Sequence, residues 1–280
     1  MIPDLPKLPI GRWIEAVESW LESNAEPVFD GIKLFIGSTV NGLADAFNAI
    51  PPLLMILLFT AIAYWIGRTK IALFTLLGLY LVYNLGYWAN TMETLALVLT
   101  ASAISVVLGV PIGIACARSG KVQKLVTPVL DFMQTMPAFV YLLPAVAFFS
   151  LGVVPGVIAS VIFGIPPTIR LTNLGIRQVP ADLVEAADAF GSTPMQKLFK
   201  LQLPIAAPTI LAGINQTIML SLSMVVIASM IGAQGVGADV YRAVTQAKTG
   251  VGFEAGLAVV VLAIILDRIT QNLVTKKRKG

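Results

Sequence analysis

Hydrophobic positions run in long stretches separated by short polar turns, and this pattern dominates the chain from about residue 50 onward. A helix needs roughly 20 apolar residues to cross the hydrocarbon core of a bilayer. Seven segments reach or approach that length: about 50–67, 71–88, 94–117, 127–150, 153–173, 206–232 and 253–272. The pattern predicts an all-α integral membrane fold with about seven transmembrane helices. The fourth segment is the least regular, because Asp131, Gln134, Pro137 and Pro144 interrupt its apolar run. Helix breaks at membrane depth need protein or a water-filled cavity to satisfy the freed backbone groups, so this segment is expected to face the protein interior. Pro166 and Pro167 are expected to end or kink the fifth segment, for function or merely for packing.

Residues 1–49 differ in kind, with seven acidic and three basic residues and apolar positions at helical spacing. Trp13, Val17, Trp20 and Leu21 share one face of a first helix; Ile32, Phe35, Ile36, Val40, Leu43 and Phe47 share one face of a second. Two amphipathic helices on the outer surface are expected, lying on the membrane or packed against the bundle.

Composition agrees with a membrane protein: 57% of the residues are hydrophobic, 12% are charged and the mean hydropathy is +0.85, against the usual quarter-charged soluble domain. Histidine is absent and cysteine occurs once, at Cys116. The commonest general base, the Ser-His triad, multi-cysteine metal clusters and disulfides are thereby excluded. No catalytic residue and no metal site is expected in this chain. The net charge of +4 does not point to nucleic acid, since the basic residues are dispersed except for the terminal Lys276-Lys277-Arg278-Lys279. The start lacks the basic and apolar regions of a cleavable signal peptide.

Those basic residues instead orient the chain. Alternating the loops places Arg68, Lys70, Arg118, Lys121, Lys124, Arg170, Arg177, Lys197, Lys200, Arg268 and the tail on one side, and Lys7, Arg12, Lys33, Arg242 and Lys248 on the other. The positive-inside rule makes the first side cytoplasmic. The N-terminus is then outside and the C-terminus inside. The tail at 276–280 would serve as an anchor or contact anionic membrane lipid.

The longest loop on the basic side, 174–205, reads as two short helices with a corner. Pro180 and Asp182 suit a helix start, Gly191 a stop, and Thr193, Pro194 and Gln196 form a capping box with proline at its start. Leu183, Val184, Ala187 and Phe190 line one face of the first helix, and Met195, Leu198 and Phe199 repeat the pattern in the second. Such a corner, with an apolar face exposed to cytosol, is a docking surface.

Glu185-Ala186-Ala187, Gly191 six positions after the glutamate, and Leu201-Gln202-Leu203-Pro204 resemble the EAA loop of ABC importer permeases, with Leu201 where that pattern favours isoleucine. The resemblance covers roughly residues 92–275, including the sequence GAQGVG at Gly232 to Gly237. It implies a five-helix type I permease core, preceded by two additional spans at 50–91 and the amphipathic segment at 1–49. It further implies that Glu185, Ala186, Ala187, Gly191, Ser192, Met195, Leu203 and Pro204, within the loop at 180–204, couple to a cytoplasmic ATPase on a separate chain, which uses ATP and magnesium. This chain has no GxxxxGK[ST] loop. A solute-binding protein outside the membrane and a second permease copy, in a homodimer, complete the implied complex. Because the sequence ends at Gly280 without a following soluble domain, the binding protein is expected on another polypeptide.

More narrowly, the stretches around Asp131 to Pro144, Gly152 to Thr172 and Ile176 to Thr193 resemble the permease subunits of glycine betaine and related quaternary amine uptake systems, which import osmoprotectants. A quaternary ammonium cannot donate hydrogen bonds and is held best by aromatic faces. Phe132, Phe139, Tyr141 and Phe148 in the fourth segment are therefore candidate pathway residues, with core packing as the plain alternative. Asp131, Asp267 and Arg268 are expected as interfacial anchors or ion pairs. Permeation of another small solute, or ion-coupled transport by this chain alone, are the competing functions. The second would require ionisable residues at mid-span, and the span centres hold almost none.

Overall fold

The computed structural model describes residues 9–277, with side chains as far as Leu273. Lys7 and residues 278–280 of the expected basic tail lie outside the described residues. The described residues form helices and turns and contain no strand. In chain order the helices are α1 Ile10–Ala49, α2 Pro52–Asn84, α3 Trp88–Arg118, α4 Gly120–Thr135, α5 Leu142–Phe149, α6 Val153–Arg177, α7 Ala181–Ala189, α8 Pro194–Lys197, α9 Leu203–Ser229, α10 Val236–Thr245 and α11 Thr249–Lys277. A 3-10 turn at Ala138–Tyr141 precedes α5, and a π-helical turn at Leu198–Gln202 joins α8 to α9.

Among the described residues, five helices are long and apolar enough to cross a membrane, namely α2, α3, α6, the continuous run Pro194–Ser229 and α11; the bent pair α4–α5 makes up to six. The expected seven differ from this count at α2, which joins the segments read as separate spans at 50–67 and 71–88. Within α2, Arg68 leaves the helical region at φ 62° and ψ −163°. Phe59 and Ile62 before it and Leu79 after it line one cavity of about 160 Å³ together with Met92 and Leu262. A straight helix would hold Phe59 about 30 Å from Leu79, so α2 doubles back at Arg68. Each limb is about 24 Å long at 1.5 Å per residue, short of a full hydrocarbon core.

Two other expectations are corrected. The N-terminal segment is one 40-residue helix with Pro27 inside it, not two helices. Its second half buries Ile36, Val40 and Ala44, while Trp13, Ile14, Val17 and Trp20 on its first half stay exposed. Phe29 stacks on Phe148 with ring centroids 4.6 Å apart and meets Phe149 edge-on at 5.6 Å, pinning α1 to the end of α5. Of the two outcomes expected at Pro166 and Pro167, an end of the helix does not occur: α6 runs through both, buried, to Arg177.

The tightest packing joins α3, α6 and α9, and small side chains produce it. Lipid tails are as apolar as leucine, so helices in a bilayer associate through close van der Waals approach and hydrogen bonds between them. Gly109 and Gly113 of α3 lie against Thr168 and Thr172 of α6; Gly164 of α6 faces Thr217 and Ser221 of α9. At the centre Thr168 and Thr217 share a hydroxyl hydrogen bond of 2.8 Å, and Thr217 donates to the Gly164 carbonyl at 2.6 Å. At the end opposite α7 and α8, the loop after α9 docks on the start of α3, where the Val236 amide donates to Thr94 Oγ1 at 3.0 Å. Gly235, at φ 110°, has no room for a Cβ beside that hydroxyl.

Candidate functional site

The loop between α6 and α9 folds as the capping pattern predicts. α7 carries Asp182 in its first turn and ends at Phe190. Gly191 takes φ +74°, a left-handed conformation that glycine adopts without a Cβ penalty. Thr193 Oγ1 accepts from the Gln196 amide at 3.3 Å, and Gln196 Oε1 accepts from the Thr193 amide at 2.9 Å, a complete capping box. Lys197 then donates to both carboxylate oxygens of Asp188 at 2.7 and 2.8 Å. That bond ties α8 back to α7 and closes the corner. Nothing in the periodic pattern signals it, because Asp188 and Lys197 are nine positions apart on different helices.

The corner is anchored on one side and bare on the other. Leu198 is 3% exposed among Ile176, Ala206 and Ile210, with Leu203 packed at the edge of the same cluster. Arg177 at the end of α6 donates to the Cys116 carbonyl at 2.8 Å, covering a carbonyl that the end of α3 leaves open, and to Asn173 Oδ1 at 2.9 Å. Outward, Phe190 is 90% exposed and Met195 and Phe199 are exposed as well. Glu185, Ala186, Gly191 and Pro204 are also exposed, and Ala187 and Ser192 are half-buried. Phe190, on the apolar face expected of the first helix, stands out as an aromatic knob at the corner, and Leu183 of the same face is exposed as well. The arrangement can hand a large apolar contact to a partner on a stiff mount.

The bent span separates the four aromatic pathway candidates. Its helices α4 and α5 meet at 108° across Met136 and Pro137, which are both extended. Phe132 and Phe139, on either side of the bend, are exposed. Tyr141 is buried and its hydroxyl donates across the bend to the Met133 carbonyl, while Phe148 is taken up by the stack on Phe29. Asp131 pairs with Arg170 of α6 at 2.6 Å, as an ion-pair reading expects. Asp267 of α11 accepts from Asn215 of α9 at 2.8 Å and from Gln271 at 2.7 Å, and Arg268 stands 3.9 Å away.

Comparison with known proteins agrees with this architecture. The chain is 58% identical to the glycine betaine transport system permease protein of Bacillus subtilis, over 98% of this chain and 97% of that one. It is 54% identical to the glycine betaine/carnitine transport permease protein of Listeria monocytogenes over the full length of both. With the glycine betaine/proline betaine transport system permease protein of Escherichia coli it shares 47% identity, over 94% of this chain and 75% of that one. Among solved structures, the inward facing MetNI methionine ABC transporter matches with a TM-score of 0.61 at 21% identity, over 66% of this chain and 92% of that chain, a likeness of fold. Residues 109–279 match the family described as the binding-protein-dependent transport system inner membrane component. A chain whose helices and exposed corner are built in this way, and whose sequence matches over most of its length, belongs to that family of ABC importer permeases.

Proposed function

We propose that this chain carries glycine betaine or a closely related quaternary amine across the cell membrane, as the permease of an ATP-driven importer. Identity of 47–58% to three permeases named for glycine betaine, spread over nearly the whole chain, carries this reading. ATP and magnesium belong to a separate ATPase chain, and an external binding protein on another polypeptide delivers the solute. Two copies of the permease enclose the route. The N-terminus lies outside and the C-terminus in the cytoplasm, a reading that the segregation of Lys and Arg supports. Residues 92–275 form the permease core, 50–91 an added helical pair and 1–49 an external segment.

In this reading the α7–α8 corner seats in the ATPase. Glu185, Ala186, Ala187, Gly191, Ser192 and Met195 form the contact, and Leu203 and Pro204 lead into α9. The exposure of Phe190, Met195 and Phe199 beside an anchored Leu198 supports it, since an apolar knob on a braced mount transmits displacement without yielding. Of the aromatic pathway candidates, Phe139 keeps that role, because its face is open; Phe132 shares the exposed apolar sector of α4 with Leu125 and Val129, and Tyr141 and Phe148 are assigned to packing. The test is reconstitution of the permease with its ATPase and binding protein in liposomes. ATP-dependent uptake of radiolabelled glycine betaine, competed by other quaternary amines, is the expected result. Uptake of an amino acid or sugar that no quaternary amine competes for overturns the substrate assignment.

A further inference from the structure

The sixteen residues of α4 divide into three sectors around the helix axis. Val122, Val126, Leu130 and Met133 face inward and pack on Cys116, Ile165 and Ile169. Leu125, Val129 and Phe132 form an exposed apolar sector. The third sector is polar: Lys124, Thr127, Asp131 and Gln134 recur at helical spacing and all four are exposed. Residues that recur at three and four positions share one helix face, so this is a continuous polar stripe. It lies on a helix of 16 residues, too short to cross a bilayer alone and long enough only together with α5. Polar stripes on bilayer-crossing helices face the protein interior or a water-filled cavity, because hydrocarbon cannot solvate them.

Arg170 of α6 borders the stripe. Its Nη2 meets Asp131 at 2.6 Å, and the two side chains are 42% and 57% exposed. Its Nε is buried and lacks an acceptor. That Nε lies out of a solute's reach, so the exposed part of the guanidinium is what a solute can meet, and its existing bond is an exposed ion pair of the kind that contributes little to stability. We propose that the stripe of α4 with Arg170 is a wall of the solute route, and that the Asp131–Arg170 pair is a transit station for a small zwitterion. The solute's carboxylate takes the guanidinium, which binds carboxylates through two parallel N–H donors. Asp131, released, faces the solute's fixed cation. Exchange of partners leaves neither protein charge uncompensated, whereas an uncharged solute would gain nothing from the pair and a singly charged one would strand one member of it. The station rests on the substrate reading above, and it adds Arg170 and Asp131 as the residues that recognise charge.

The test uses the complete complex in nanodiscs and in liposomes. With Cys116→Ser as background, Thr127→Cys and Gln134→Cys are expected to react with a membrane-impermeant methanethiosulfonate at least tenfold faster than Leu125→Cys and Val129→Cys. Equal rates would remove the stripe from water and overturn the wall. Arg170→Gln is expected to slow uptake of radiolabelled glycine betaine at least tenfold, while ATP hydrolysis stimulated by the loaded binding protein stays within twofold of wild type. Unchanged uptake, or uptake and stimulated hydrolysis falling together, overturns the station. Failure of the wild-type complex to move any quaternary amine would instead sink the substrate reading, and the thiol rates would still report on the wall.

Discussion

A methyl group added to Gly213, in the seam between α6 and α9, would sit 3.0 Å from the Pro167 carbonyl, whereas one added to Gly191, in the α7–α8 corner, would meet nothing within 4 Å. Both places demand glycine, for opposite reasons. In the seam glycine is needed because another backbone occupies the space, and the same holds at Gly113, where a Cβ would lie 2.8 Å from the Ile169 carbonyl. In the corner the space is empty and glycine is needed only for its φ of +74°. The seam is stiff because three helices interlock; the corner is stiff because its own local bonds close it. In the coupling role proposed for it the corner has to be stiff without being enclosed, and local bonding achieves that while leaving Phe190 bare.

The largest expected effect falls in the seam. Gly113→Val should force α3 and α6 apart and destabilise the chain by about 3 kcal/mol or more, at the upper end for overpacking. Thermal unfolding in detergent should show it, together with loss of monodisperse protein. Full retention of stability would mean that the seam can open, and the contrast with the corner would collapse.

Gly191→Val is expected to act differently. A β-branched residue held in the left-handed region is strained by about 1–2 kcal/mol, so the protein should still insert and still receive the binding protein, yet lose uptake and retention of the ATPase on purification. Gly191→Asn sharpens the point, since asparagine tolerates that backbone. Restored uptake would confine the glycine to the turn, and continued failure would mean that the ATPase approaches the backbone there. A collapse of thermal stability equal to that of Gly113→Val would break the comparison.

Thr193→Ala should have the smallest effect. It removes one side of the capping box and destabilises the corner by about 1 kcal/mol. Uptake should fall by a few-fold with global unfolding unmoved, because α8 is not part of the core. An unfolding midpoint that drops by many degrees would show that the corner supports the bundle, contrary to the division drawn here.

Much of this was legible in the order of residues. The capping box at Thr193 and Gln196 and the turn at Gly191 depend on neighbours within a few positions, so the sequence pattern reaches them. The break near Pro137 follows from two prolines and two polar residues in one apolar run. What escaped the pattern depends on distant partners. Phe148 reads equally as a pathway or a packing aromatic, and its partner Phe29, which stacks on it from α1, is out of reach of the pattern. Pro166 and Pro167 read as a helix end or a kink, and that α6 continues through them, packed between α3 and α9, is not in the local pattern.

Hydrophobic run length, charge segregation and local capping chemistry thus determined by themselves that the chain is helical, crosses a membrane and carries a two-helix corner. These are properties of consecutive residues and their solvent, and they survive without knowledge of the fold. Tertiary structure alone decided that α2 turns back at Arg68, that Asp188 meets Lys197, and that the charges of Asp131 and Arg170 stand 2.6 Å apart beside a polar stripe. Each of these joins groups whose separation along the chain carries no periodic signal. Their meeting is set by how the helices pack, and close packing depends on the shapes of all the side chains at once.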